Sequence, residues 1–108
     1  MSTWNELQSS VTTAADFPEH YFLENIVIRG DNSMLVTAVI PKTLHYVSPP
    51  RPRIAGEPVL LHSFEDHVMG ITELEPDVFA IFTANGYTTH ESYMHRLDLR
   101  GVGARPKG

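Results

Sequence analysis

Two polar side chains open an apolar run. In LENIVIRGDNSMLVT, Leu23 to Thr37, the carboxylate of Glu24 and the amide of Asn25 stand just before Ile26, Val27 and Ile28. Burying either group without a partner is costly, so the start of this run is expected to be wet. An asparagine there can donate a hydrogen bond to a substrate carbonyl. Its plainer role is to bond a neighbouring loop, and a carboxylate at a strand start is often simply solvated. His67 precedes a second run of the same kind, MGITELEPDVFAIFT. A neutral imidazole in that place can donate a hydrogen bond or take a proton. Its plainer reading is an exposed loop histidine beside Glu65 and Asp66. Asn85, Tyr87 and His90 follow in NGYTTHES, a loop that offers further substrate contacts but that can lie on the opposite face.

Other chemistries find less support. Ser33 sits in a turn without the pattern of a nucleophile elbow. His62 with His67, and His90 with His95, lack the spacing of helical metal ligands, so no zinc site is expected. PPRPR reads as a rigid inter-strand loop, with a polyproline ligand as the alternative.

The elements that must carry these residues are strands. After Phe17-Pro18, ENIVIR is closed by GDNS, a turn of residues that tolerate positive φ or bond their own backbone. MLVTAVI is apolar on both parities, as a strand covered on both faces would be. LHYV, a proline-rich loop and VLLHSF complete four strands. Roughly 45 residues on, the cycle restarts with GITELE, PD, VFAIFTA and YMHRLDL. Ile26 matches Ile71, and His45 matches His95 after a longer loop. The chain thus holds about one and three-quarter copies of a four-stranded unit, the repeat of a β-propeller. A small meander or sandwich is the alternative. The first strand of a propeller blade lines the central channel, and its start opens at the channel mouth. That would account for Glu24 and Asn25.

Ahead of the strands, TWNE fits a capping box, and Trp4, Leu7 and Val11 fall near helical spacing, which predicts a short helix ending before Phe17. The expected layout is an all-β single domain: helix or arm over 1–17, a first blade over 18–64, a partial second blade over 65–100 and a disordered tail over 101–108. Core positions are expected at Val36, Val39, Val78, Phe79, Ile81 and Phe82.

Composition bounds the function. The chain has 108 residues, 42% hydrophobic and 19% charged, with a formal charge of −5. That charge argues against a nucleic-acid surface, although Arg96, Arg100, Arg105 and Lys107 make the last segment basic. No cysteine is present, which excludes disulfides and thiol nucleophiles. MSTWNELQSS lacks the basic start and apolar run of a signal peptide. No apolar segment approaches the roughly 20 residues that span a bilayer. A cytoplasmic protein without membrane contact is expected.

FPEHYFLENIVIRGDNSMLVT, LLHSFEDHVMGITELEPDVFAIFTAN and HRLDL together resemble the first two blades of fungal six-bladed propellers grouped with the senescence-marker/gluconolactonase-like family. The resemblance covers Asp16 to Leu99. It resembles a branch whose members include hetero-Diels–Alderases of tropolone–sesquiterpenoid pathways, which hold a quinone methide and a polyene in the channel mouth. This implies a truncated relative of these pericyclases, since six blades at this repeat need about 270 to 300 residues. Such an enzyme would orient a small-molecule substrate and polarise a carbonyl through Asn25, with Glu24 and His67 beside it. Asn85 and Tyr87 would contact substrate, and no cofactor would be needed. The lactonase relatives use a first-blade glutamate as metal ligand. A metal-dependent hydrolase with Glu24 on a divalent cation is therefore the alternative, although the proline and tryptophan that follow the glutamate in lactonases are missing from ENIVI. A non-catalytic remnant or binding module is the third reading. The alternative to truncation is that several chains self-associate to complete a ring.

Overall fold

The computed structural model describes residues 11–85 and 91–101. Among these residues the chain is all-β, with two antiparallel sheets and no helix. The first sheet has the order β1 (Phe22–Ile28), β2 (Met34–Ile40), β3 (Thr43–Val47) and β4 (Val59–Ser63). The second has the order β5 (His67–Glu75), β6 (Val78–Ala84) and β7 (Ser92–Asp98). Each is a meander of strands adjacent in sequence, as short connections favour.

The two sheets repeat one another residue by residue. Ile26 lies opposite Val36, and Val36 opposite His45. In the second sheet Ile71 lies opposite Ile81, and Ile81 opposite His95. Met34 pairs with Val47 as Phe79 pairs with Leu97. The first hairpin turns place Asn32 (φ 69°) and Asp77 (φ 61°) at matching positions. Asn and Asp are the non-glycine residues that best tolerate this left-handed conformation.

The sheets stack face to face. Leu35 and Leu44, with Val27 at their side, come from one face of the first sheet. They pack on Val68, Ile71, Phe79 and Ile81 of the second. Arg29, just past β1, reaches across to Asp77 in the β5–β6 turn, with Nε–Oδ1 at 3.1 Å and Nη2–Oδ2 at 3.0 Å. The side chain of Asn25 lies beside Gly70, its Nδ2 4.0 Å from where a Cβ would stand. The starts of β1 and β5 therefore meet at one end and their turns at the other, so the two strands run side by side in the same direction.

The expected N-terminal helix is not seen. Residues 11–17, its described part, run without helix, and the rest lies outside the described residues. Ala15 instead bridges Gly56 in parallel, and Gly56 donates its N–H to the Ala14 carbonyl at 2.7 Å. A Cβ on Gly56 would stand 3.3 Å from that carbonyl oxygen, a tight contact that the arm could meet only by giving a few tenths of an ångström. This arm lays Ala14, Ala15 and Phe17 on Met34, Val36 and Val47. Tertiary packing of these three apolar side chains sets the course of the described part.

The core expectation holds for Val36, Val78, Phe79 and Ile81 and fails for two positions. Val39 is half-buried and Phe82 is exposed. An apolar run on both parities calls for cover on both faces. The arm covers the first sheet in part, and the outer face of the second buries Val78 and Ala80 but leaves Phe82 41% exposed. Of the expected tail, Gly101 lies in a turn, and 102–108 are outside the described residues. No helix among the described residues is long and apolar enough to cross a membrane.

Candidate functional site at the strand starts

Register slips, rather than the apolar pattern, place the polar groups. Between Leu23 and Asn25 the β1–β2 pairing slips, leaving Glu24 without a partner across the strand. The β5–β6 pairing slips at the same point, between Val68 and Gly70, leaving Met69. A bulge re-aims the extra side chain and sharpens the local twist. Glu24 and Met69 are thus equivalent, and both are exposed.

Asn25 is held from both sides. Its backbone N–H is donated to Thr37 Oγ1 at 3.2 Å, and its Oδ1 accepts the Ile26 N–H at 2.8 Å. The second bond fixes the amide plane and assigns the flip. Nδ2 is left with no acceptor among the described residues. It is an oriented, exposed donor.

Glu24 and Asn25 also border a groove of ≈ 360 Å³ whose floor is Ile26, Met34, Val36 and Val47, with the arm as its far wall. His67 does not line it. Its counterpart in the first sheet is Phe22, and the half-buried ring turns to the seam between the sheets, Nδ1 standing 3.4 Å from the Val39 carbonyl oxygen. The structure brings Glu24 and Asn25 together and leaves His67 apart from them. Asn85 lies elsewhere, in a polar pocket with His62, Asp66, Glu91 and His95, and its N–H is donated to the Glu91 carbonyl at 2.9 Å. Tyr87 and His90 fall outside the described residues.

A hard divalent cation takes about six to eight oxygen ligands. Among the described residues no group of three or more His, Cys, Asp or Glu is arranged to hold a metal ion. Glu24 with the single amide of Asn25 does not fit that requirement.

A buried charge, Arg29, stands at the other end of β1. The Asp77 carboxylate, hydrogen-bonded to the buried Arg29 guanidinium, holds its pKa above the ordinary arginine value, against the opposing effect of burial. Arg29 Nη1 also donates to Ser33 Oγ at 3.1 Å. Ser33 in turn donates its N–H and its hydroxyl to Asp31, which lowers the Asp31 pKa. The clamp ties the two sheets together and has no counterpart in the repeat, where Leu74 matches Arg29. Sequence reasoning missed it, as it missed Met69. The match of Ile26 with Ile71 carried the signal for Met69, because it sets Glu24 opposite Met69 in the repeat. No protein family, curated protein or solved structure matches the chain.

Proposed function

We propose that this chain supplies two blades of a propeller-type pericyclase resembling the hetero-Diels–Alderases, with the substrate held at the rim formed by Glu24, Asn25 and Met69. The observation that carries the reading is the shared bulge. Two edge strands run side by side in one direction, and each displaces one side chain at the same point. Inner strands around a propeller channel have that relation, and the free Nδ2 of Asn25 lies at their starts.

The reaction asks little of the protein. A heterodiene, C=C–C=O, meets an alkene, a new C–C and a new C–O bond form, and three π bonds become one. Nothing leaves and no proton moves, so neither nucleophile nor base is required. The rim contributes orientation. It also contributes the Asn25 N–H, which draws electron density from the heterodiene oxygen as the C–O bond forms. Glu24 can accept a hydrogen bond from a substrate hydroxyl, and Met69 gives an apolar contact to a polyene. His67, turned to the seam, carries no step. The hydrolase alternative needs a ligand set around Glu24, and no observation favours it.

The test is stereochemical. A tropolone-type quinone methide, generated in place, is mixed with a cyclic sesquiterpene polyene, with and without protein. An adduct of high enantiomeric excess that falls towards racemic with Asn25→Ala supports the reading. A racemic adduct at the background rate overturns it and leaves a non-catalytic module.

A further inference from the structure

The internal sheet stack defines its own continuation. The second sheet buries Val68, Ile71, Phe79 and Ile81, with Leu97 partly buried beside them, against Val27, Leu35 and Leu44 of the first. Through the matching registers, these five correspond to Leu23, Ile26, Met34, Val36 and Val47. Those residues line the groove beside the arm. A surface that is core in the second sheet is therefore only partly covered in the first: Met34, Val36 and Val47 lie under the arm, while Leu23 and Ile26 on β1 stay 44% and 50% exposed.

The covering surface can be read in the same way. Val27, Leu35 and Leu44 correspond to Thr72, Ala80 and Met94, and Thr37 corresponds to Phe82. These residues form the outer face of the second sheet. There Phe82 is 41% and Met94 67% exposed, and the two lie opposite one another on β6 and β7. The chain thus carries both halves of one contact on two different surfaces. Large exposed apolar side chains grouped on a sheet face mark an interaction surface.

We propose that the occupant of the groove is a second copy of this chain, docked head to tail, with Phe82 and Met94 of one copy on Leu23 and Ile26 of the next. Such a contact is heterologous, so it continues until a ring closes or a filament grows. The operation is the one that already relates the first sheet to the second. For the rim chemistry this deepens the reading above, because the neighbour fills the apolar groove and leaves the rim for substrate. The assembly itself does not depend on that reading and is measured without substrate.

The experiment is sedimentation velocity on the full chain over a wide concentration range, with Ile26→Lys, Phe82→Lys and their mixture. Wild type is expected to grow beyond a monomer as concentration rises. Each variant alone is expected to lose at least about tenfold in association, since a lysine in an apolar contact loses more than 1.4 kcal/mol. The mixture is expected to form a heterodimer and nothing larger, because each variant keeps the half that the other lacks. Leu23→Lys with Met94→Lys repeats the test should either first variant fail to melt cooperatively. A monodisperse monomer at all concentrations overturns the proposal and assigns these faces to other partners or to further repeats of a longer chain. Association that survives in either single variant overturns it too, by showing a contact through some other surface.

Discussion

Replacing Asp77 by asparagine removes one charge from the clamp between the sheets while keeping a residue that tolerates φ 61°. The Arg29 side chain is 3% exposed and that of Asp77 is 34% exposed. Breaking a fully buried ion pair costs about 3–5 kcal/mol, because the surviving charge is left unpaired. Water reaches the carboxylate side here, which screens the pair, and asparagine retains one acceptor oxygen. Discounting by about half gives a loss of about 2 kcal/mol. For a domain near 100 residues, each kcal/mol moves the melting midpoint by about 4–8 °C. The expected fall is therefore about 8–16 °C. Urea unfolding at neutral pH, with the slope unchanged, measures the free energy directly. Arg29→Met in the Asp77→Asn background should cost less than the two single changes added together, since it removes the stranded charge. An Asp77→Asn chain within about 0.5 kcal/mol of wild type would refute the clamp as a source of stability.

Further expectations follow from single sites. Ile81→Asp buries an unpaired charge between the sheets and should abolish cooperative folding, seen as insoluble expression or loss of the thermal transition. Leu35→Ala, at a fully buried position, should cost about 2–5 kcal/mol in urea titration. His45 is buried against Phe17 and Tyr21, with Nδ1 lacking a partner among the described residues, and burial lowers its pKa below the ordinary histidine value. The unfolded chain then binds the proton more readily, so stability should decline as pH falls through the ordinary histidine range towards the lowered pKa. His45→Gln should flatten that part of the urea-midpoint profile.

Much of the fold was legible because its cause is local. GDNS and EPD mark the hairpins, and Asn32 and Asp77 take the positive φ that those residue types allow. The doubly apolar runs became the second strand of each sheet. The described part of the arm departs from the expected helix because Ala14, Ala15 and Phe17 follow their contacts with Met34, Val36 and Val47, which lie well beyond any local window. Phe82 was misplaced for the opposite reason. The run that contains it calls for cover on both faces, and on the outer face the described chain buries Val78 and Ala80 but not Phe82. Glu24 and Asn25 stand out in sequence as polar groups ahead of Ile26. The bulge that re-aims Glu24 depends on pairing with β2, so it becomes visible only in the register. His67 was grouped with them by its place before a strand, yet the residue that repeats Glu24 is Met69. The Arg29–Asp77 bond joins two turns that are far apart in sequence, and neither turn announces its partner.

The central claim is that one sheet surface is used twice, buried in the second sheet and offered for docking in the first. Methyl NOE spectroscopy on mixed labelled and unlabelled chains tests this most directly. Within one chain, the methyls of Leu35 and Leu44 should show cross-peaks to Ile71 and Ile81. Between chains, Met94 should show cross-peaks to Ile26 or Leu23. Intrachain contacts from Leu35 to Ile26 or Ile28 in place of Ile71 and Ile81 would contradict the stacking, and no interchain peak from Met94 at high concentration would contradict the docking.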